Sequence, residues 1–229
     1  MKIKIAGLLV LFISGCTQFP RTINTYKLQH FTLLDTVYRE PATYRQYDKE
    51  DGGYPIYYIG KMQDTIGIGE RYLPWKNKMQ KDRLQDTCVR FLSPDKMTMF
   101  VDTTVKTCIE RMYGNNRDSV LNYHAYLLCI HNVSDTALWL GDTFSLAYLY
   151  REVQNKNGAW IKIEKMVSEM DYCGTGQPNV ILKAGEIILA KVIRYKGEAP
   201  AKCRLVMKHF NQTVYSNVFV DQVERSLLD

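Results

Sequence analysis

The sequence predicts an all-β protein, an antiparallel sandwich over residues 120–229 preceded by a smaller β-rich region over residues 36–119. Three observations predict it. Short runs of β-branched and aromatic residues recur along the chain, most regularly after residue 118. Turn formers such as Asn157-Gly158, Ala184-Gly185 and Lys196-Gly197 punctuate them at roughly 8–12-residue spacing, the rhythm of a sandwich. Between residues 120 and 222 no segment of useful length carries the 3.6-residue apolar period of a helix.

The N-terminus has another character. Lys2 and Lys4 form a basic head, and residues 5–13 form an apolar run that includes Ala6 and Gly7. A bilayer span needs about 20 apolar residues, so the run reads as the core of a secretory signal over residues 1–15. Ser14 and Gly15 then place two small residues before Cys16. The stretch Ile13-Ser14-Gly15-Cys16 resembles a bacterial lipobox. That resemblance implies that Cys16 carries acyl chains such as palmitate and begins the mature chain. Residues 16–35 are polar and mixed, with Pro20 close to the anchor, and read as a tether to a membrane.

Residues 33–53 stay polar and tyrosine-rich, ending in the acidic, glycine-terminated loop of residues 48–53. Residues 56–59 form a first strand, expected to make a hairpin with residues 64–69. There Ile66 and Ile68 share one face, and Gly67 and Gly69 suit a strand packed closely on its other side. Residues 70–87 are highly charged, with a short helix expected over 76–84. Residues 97–101 and 105–109 form a further strand pair, and Gly114-Asn115-Asn116 is a turn.

Residues 123–130 are apolar enough for a strand buried on both faces. Strands at 137–140, 144–150, 160–163, 187–195, 202–209 and 214–220 follow, with a loop over 173–178. On this rhythm residues 120–222 resemble an immunoglobulin-like sandwich of Bacteroidetes-type envelope lipoproteins. In antibody-type domains a Trp on the third strand lies between two bridged cysteines; here Trp160 comes later in the strand order. With Cys16 lipidated, Cys88, Cys108, Cys129, Cys173 and Cys203 remain, an odd number that leaves at least one thiol unpaired. An envelope compartment permits disulfides. Cys129 and Cys203 fall on strands that would face each other if the sandwich closed that way.

Removing residues 1–15 leaves 214 of 229 residues, and the formal charge of +6 includes Lys2 and Lys4, leaving +4 without them. No run of five or six like charges occurs, which argues against nucleic-acid binding. No CxxC, HxH, HExxH, GxSxG or phosphate loop is present. His124 and His131 differ by seven and point to opposite strand faces, so they do not share a metal. Asp48, Glu50 and Asp51 sit in a loop without apolar surroundings to raise a pKa. Neither catalysis nor a cofactor is expected.

Seven of fourteen aspartates are followed by Ser or Thr, where 24 such residues in 229 would put one or two by composition. The set Asp-Thr36, Asp-Thr65, Asp-Thr103, Asp-Ser119 and Asp-Thr136, each followed by a small or aliphatic residue or Thr, resembles the O-glycosylation signal of Bacteroidetes envelope proteins. Asp-Thr is also a natural exit from a turn into a strand. Sixteen tyrosines with Trp75, Trp139 and Trp160 offer stacking platforms or core filling. The expected protein is therefore a lipid-anchored, non-enzymatic envelope module that binds another envelope protein or assembles with it. A surface glycan-binding lipoprotein would show exposed aromatics on one face. An inhibitor or scaffold domain would instead offer a sheet edge or a protruding loop near residues 170–180. Thr17-Gln18-Phe19-Pro20-Arg21 carries no acidic residue, unlike the surface-exported lipoproteins it otherwise resembles. The expected location is therefore the periplasmic face of the outer membrane.

Overall fold

A computed structural model describes residues 24–36, 38–40, 42–69, 89–92, 95–112, 120–141, 145–166, 179–209 and 211–229. Cys16, Ser119, the expected helix at 76–84, the 114–116 turn and the 173–178 loop lie outside the described residues. Within them the protein is all-β, with two 3-10 turns at Lys49–Asp51 and Arg225–Leu228 and no α-helix.

The central sheet is organised on a strand buried at every position. Glu186–Ile193 (β14) lies between Tyr54–Lys61 (β4) and Val120–Asn132 (β8), and all three run antiparallel. Ser145–Leu146 (β10) extends the sheet beyond β4, and Met97–Met112 (β7) extends it beyond β8. Ile188, Ala190 and Val192 enter the largest core, while Ile187, Leu189 and Ile193 enter clusters on the opposite face. Period-two alternation sends successive side chains to opposite sides, so a strand covered on both must be apolar throughout. Each fully buried Ile or Leu contributes about 1.5–3 kcal/mol. Lys191 is the one base on this strand, and its role is considered below.

An outer sheet closes the largest core. Trp160–Lys162 (β12), Leu149–Gln154 (β11), Ala199–His209 (β16) and Gln212–Tyr215 (β17) follow one another, and Phe219–Val223 (β18) shares with β17 the far edge of β16. Leu149, Val153, Cys203, Leu205 and Phe219 face Tyr126, Leu128, Ile130 and Ile188. Ile181–Leu182 (β13), Ala137–Trp139 (β9) and Val89–Phe91 (β6) add Leu182 and Leu138 to the same core. Arg45–Gln46 (β3) pairs in parallel with Tyr195–Lys196 (β15).

A third layer covers the other face of the central sheet. Asn24–Lys27 (β1), Thr32–Asp35 (β2) and Thr65–Ile68 (β5) form a small sheet whose Leu33, Ile66 and Ile68 meet Leu127, Ile187 and Leu189. The order is small sheet, central sheet, outer sheet.

Five sequence expectations are corrected. The tether read over residues 16–35 contains β1 and β2, and Leu33 and Asp35 are fully buried. Residues 56–59 and 64–69 make no hairpin, because β4 pairs with β10 and β14 while β5 runs parallel to β2. A Cβ at Gly67 would meet nothing within 4 Å, so the glycine side of β5 is open rather than closely packed. The strands at 97–101 and 105–109 are one, β7, with a register shift between Asp102 and Thr107. Finally, the boundary at 119/120 separates no bodies, since β4 and β7 hydrogen-bond into the sheet of β8 and β14. The sandwich core needs strands from both sides of it. The turns at 155–158 and 183–186 stand as expected, with Gly158 and Gly185 at φ 80° and 69°.

Candidate functional site

Four of the expected glycosylation sites are described, and they differ in access. Thr65 opens β5 and is exposed, and Thr103 is exposed at the β7 irregularity. There Asp102 accepts hydrogen bonds from the backbone N and Oγ1 of Thr104, an aspartate closing a local turn. Thr36 is half-buried and donates its hydroxyl to the Ile68 carbonyl at 3.0 Å. Thr136 is half-buried in the turn after β8, its Oγ1 3.4 Å from Ser134 Oγ.

Of the described cysteines, Cys129 and Cys203 carry free thiols, and Cys108 Sγ accepts a hydrogen bond from the Arg39 backbone N–H at 3.3 Å, while Cys88 and Cys173 lie outside the described residues. Cys203 sits in the largest core, and Cys129 packs against the cluster on the other side of the central sheet. Their separation by a sheet rules out the pairing raised from the sequence. Burial pushes both thiols up to about 12, so they act as small apolar side chains. His124 and His131 do lie on one strand, and His124 stacks on Tyr44 at 4.4 Å between ring centroids. Among the described residues no group of three metal-ligating side chains occurs.

Two buried charge clusters fasten the layers together. Arg151, on the inner face of β11, is fully buried. Its Nη1 donates to Asp221 at 2.6 Å, its Nη2 to the Ile193 carbonyl at 2.6 Å, and its Nε lies 3.3 Å from Glu164. Tyr54 and Tyr195 donate to Glu164, and Tyr126 donates to Asp221. Across the central sheet, Lys191 donates to Asp35 at 2.8 Å and to the Cys108 carbonyl at 3.0 Å, and Thr107 donates to the same Asp35. Burial lowers the pKa of Lys191, and the Asp35 charge opposes that shift. In each cluster the charges pair with one another inside the fold, with Arg151 Nε in ion-pair contact but without a hydrogen bond, which is architecture.

The outward face of the outer sheet has another construction. Register places Trp160 and Lys162 of β12, Glu152 and Gln154 of β11, Lys202, Arg204 and Lys208 of β16, Tyr215 of β17 and Val220 of β18 on it together. The Arg204 guanidinium lies 4.3 Å from the Trp160 ring centroid and 4.1 Å from that of Tyr215. Its Nε and Nη2 both reach Glu152 Oε2, at 2.8 and 2.7 Å. A planar guanidinium held by a carboxylate while it stacks between rings fixes those rings upright across four strands. Tyr215 is 50% exposed, Val220 58% and Val218 50%, so apolar surface stands in water where a sandwich could have been polar. By contrast Trp139 is half-buried and donates its Nε1 to Asn179 at 2.9 Å, and Trp75 lies outside the described residues.

The sequence named Trp160 and, undistinguished among sixteen tyrosines, Tyr215 as candidate platforms, but not Arg204. Their proximity is set by the β11–β16 and β16–β17 registers, which no local pattern reports. Comparison with protein-family models, with curated proteins and with solved structures finds no match for the chain.

Proposed function

We propose that this protein is a lipid-anchored, non-enzymatic module of the cell envelope that binds through the outward face of its outer sheet. The reading is supported by one observation above the rest. The Trp160–Arg204–Tyr215 stack is pre-ordered and solvent-facing, on the layer farthest from the sheet that carries β1. Cys16 precedes Asn24 by only eight residues, which span about 26–29 Å at full extension. An anchor at Cys16 therefore enters through the small sheet, and the opposite layer is the one presented to a partner. A rigid aromatic and arginine surface loses little side-chain entropy on binding, which suits recognition.

The test is photo-crosslinking in intact cells, with p-benzoylphenylalanine at position 215 or, as a control on the small sheet, at position 65. An adduct from 215, discrete with a protein partner or a high-mass smear with a glycan, and none from 65 is expected. Adducts from neither position, or from 65 alone, would sink the reading.

A further inference from the structure

The outward sheet face carries a charge pattern that selects its ligand. Lys202, Arg204 and Lys208 lie on one side of β16, and Lys162 joins them from β12, with Glu152 the carboxylate among the described strand residues of this face. Glu152 Oε2 is engaged by Arg204 Nε and Nη2, so the cationic excess rests on the exposed Lys202 and Lys208. Lys202 and Lys208 are exposed, and six residues of strand separate them by about 20 Å. Tyr215 stands across from Val206, between those two lysines along the strand, with half its surface in water. The face is thus a basic line with aromatic planes beside it, and Gln154, Thr213 and Gln222 as hydrogen-bonding neighbours.

We infer that this face binds an acidic polysaccharide, an extended glycan carrying carboxylates or phosphates along its length. The inference rests on the binding-face reading above and adds the ligand class to it. A linear polyanion matches a charge line of this length. Sugar rings present C–H faces to Tyr215 and Trp160 and hydroxyls to the amides, which a purely electrostatic partner does not require. An anionic membrane is the poorer partner, because the chain's route to Cys16 leaves from the opposite layer. Nucleic acid is disfavoured by the small overall charge excess of the chain.

The full-length lipidated protein, held in neutral detergent at physiological salt where loose charge contacts are screened, is run in native gels. The gels contain polygalacturonate, dextran, polyglutamate or duplex DNA. Retardation by polygalacturonate alone is expected. Lys202→Glu with Lys208→Glu should weaken it at least tenfold, and Tyr215→Ala about tenfold. Tyr215→Phe, which keeps the ring, should retain it. Each variant is compared with the parent by thermal melting, and exposed positions such as these should leave the transition unmoved. Equal retardation by polyglutamate or DNA, insensitivity to Tyr215→Ala, equal retardation by dextran, or no retardation would each overturn the acidic-glycan assignment. A protein adduct from position 215 in cells without polygalacturonate retardation overturns this inference and spares the binding face. Loss of both adduct and retardation overturns the two together.

Discussion

Arg151 is where the core depends most on a single side chain. Its guanidinium holds two carboxylates, Glu164 and Asp221, and takes the Tyr195 ring at 4.5 Å as a further face. Arg151→Met would leave both carboxylates buried without their cation. Equilibrium urea unfolding should show a loss of about 3–5 kcal/mol, the usual cost of breaking a buried pair from one side. The phenols around this cluster define an alkaline limit. Burial, and then the Asp221 carboxylate, push Tyr126 up to about 12, and burial raises Tyr54 and Tyr195 well above the usual phenol range. Above pH 10 the unfolded chain releases those protons while the folded chain keeps them. The Tyr126 contribution is full below pH 10 and lost as pH rises through about 12, and those of Tyr54 and Tyr195 are likewise full below pH 10 and fall above it. Lys191, held below its usual range, has the opposite sign, but its contribution is complete once pH passes the unfolded value of 10.5. Unfolding midpoints should therefore fall above pH 10, and Tyr126→Phe should shallow that fall. At the expected glycosylation sites, access decides. Glycopeptide mass spectrometry should find Thr65 and Thr103 occupied and Thr36 bare, because the Thr36 hydroxyl already serves the Ile68 carbonyl.

The small sheet shows how far the sequence carries and where it stops. The strands read at 56–59, 123–130, 187–195 and 202–209 were legible, on β4, β8, β14–β15 and β16, because each carries an apolar or aromatic run that reads without knowing its partner. β2 was not, since Thr32-Leu33-Leu34-Asp35 offers two apolar residues and then a carboxylate, the pattern of a polar connector. Asp35 is tolerable in a buried strand only because Lys191 reaches it from β14, and that partner is 156 residues away. The break at Tyr150 has a similar cause. Arg151 and Glu152 read as the end of a strand, yet β11 continues to Gln154 with Arg151 turned into the core and Glu152 out to Arg204. The platform is legible only in part for the same reason: one strand supplies Trp160, another Arg204, a third Tyr215. The element also makes a prediction. Leu33→Ala should cost about 2–5 kcal/mol as a truncation in a packed cluster. Asp35→Ala should cost a comparable amount by stranding Lys191. Matching substitutions in a true tether would cost nothing measurable, so urea titration distinguishes a folded β2 from a connector.

At the scale of the whole molecule, the proposed anchor at Cys16 lies eight residues before the first strand, Asn24–Lys27. The acyl chains expected on Cys16 contribute about 0.8 kcal/mol per buried CH₂, and more than one chain makes attachment stable. Cys16→Ser should release the protein from its lipid anchor or trap it with residues 1–15 uncleaved, and should leave its cooperative unfolding unchanged, because β1 begins at Asn24. Mass spectrometry of the parent should find the acyl groups on Cys16. Truncation through residue 35 has the opposite profile, since it strips β1 and β2 from the central sheet and leaves Lys191 buried without Asp35. If Cys16 carries lipid as proposed, Asn24 would stay within about 26–29 Å of the leaflet, the reach of eight residues at full extension. The leaflet then determines which glycans its outer sheet can meet. Thr17 through Arg21 lack the acidic residues that follow the lipidated cysteine in the surface-exported lipoproteins this N-terminus otherwise resembles, so the expected side is the periplasm. Protease shaving decides it. In intact cells the chain should survive, and after detergent lysis the same protease should cut it, first in the exposed segments between strands. Cutting in intact cells would place the outer sheet outside the cell, where its acidic-glycan ligand would be an extracellular polysaccharide.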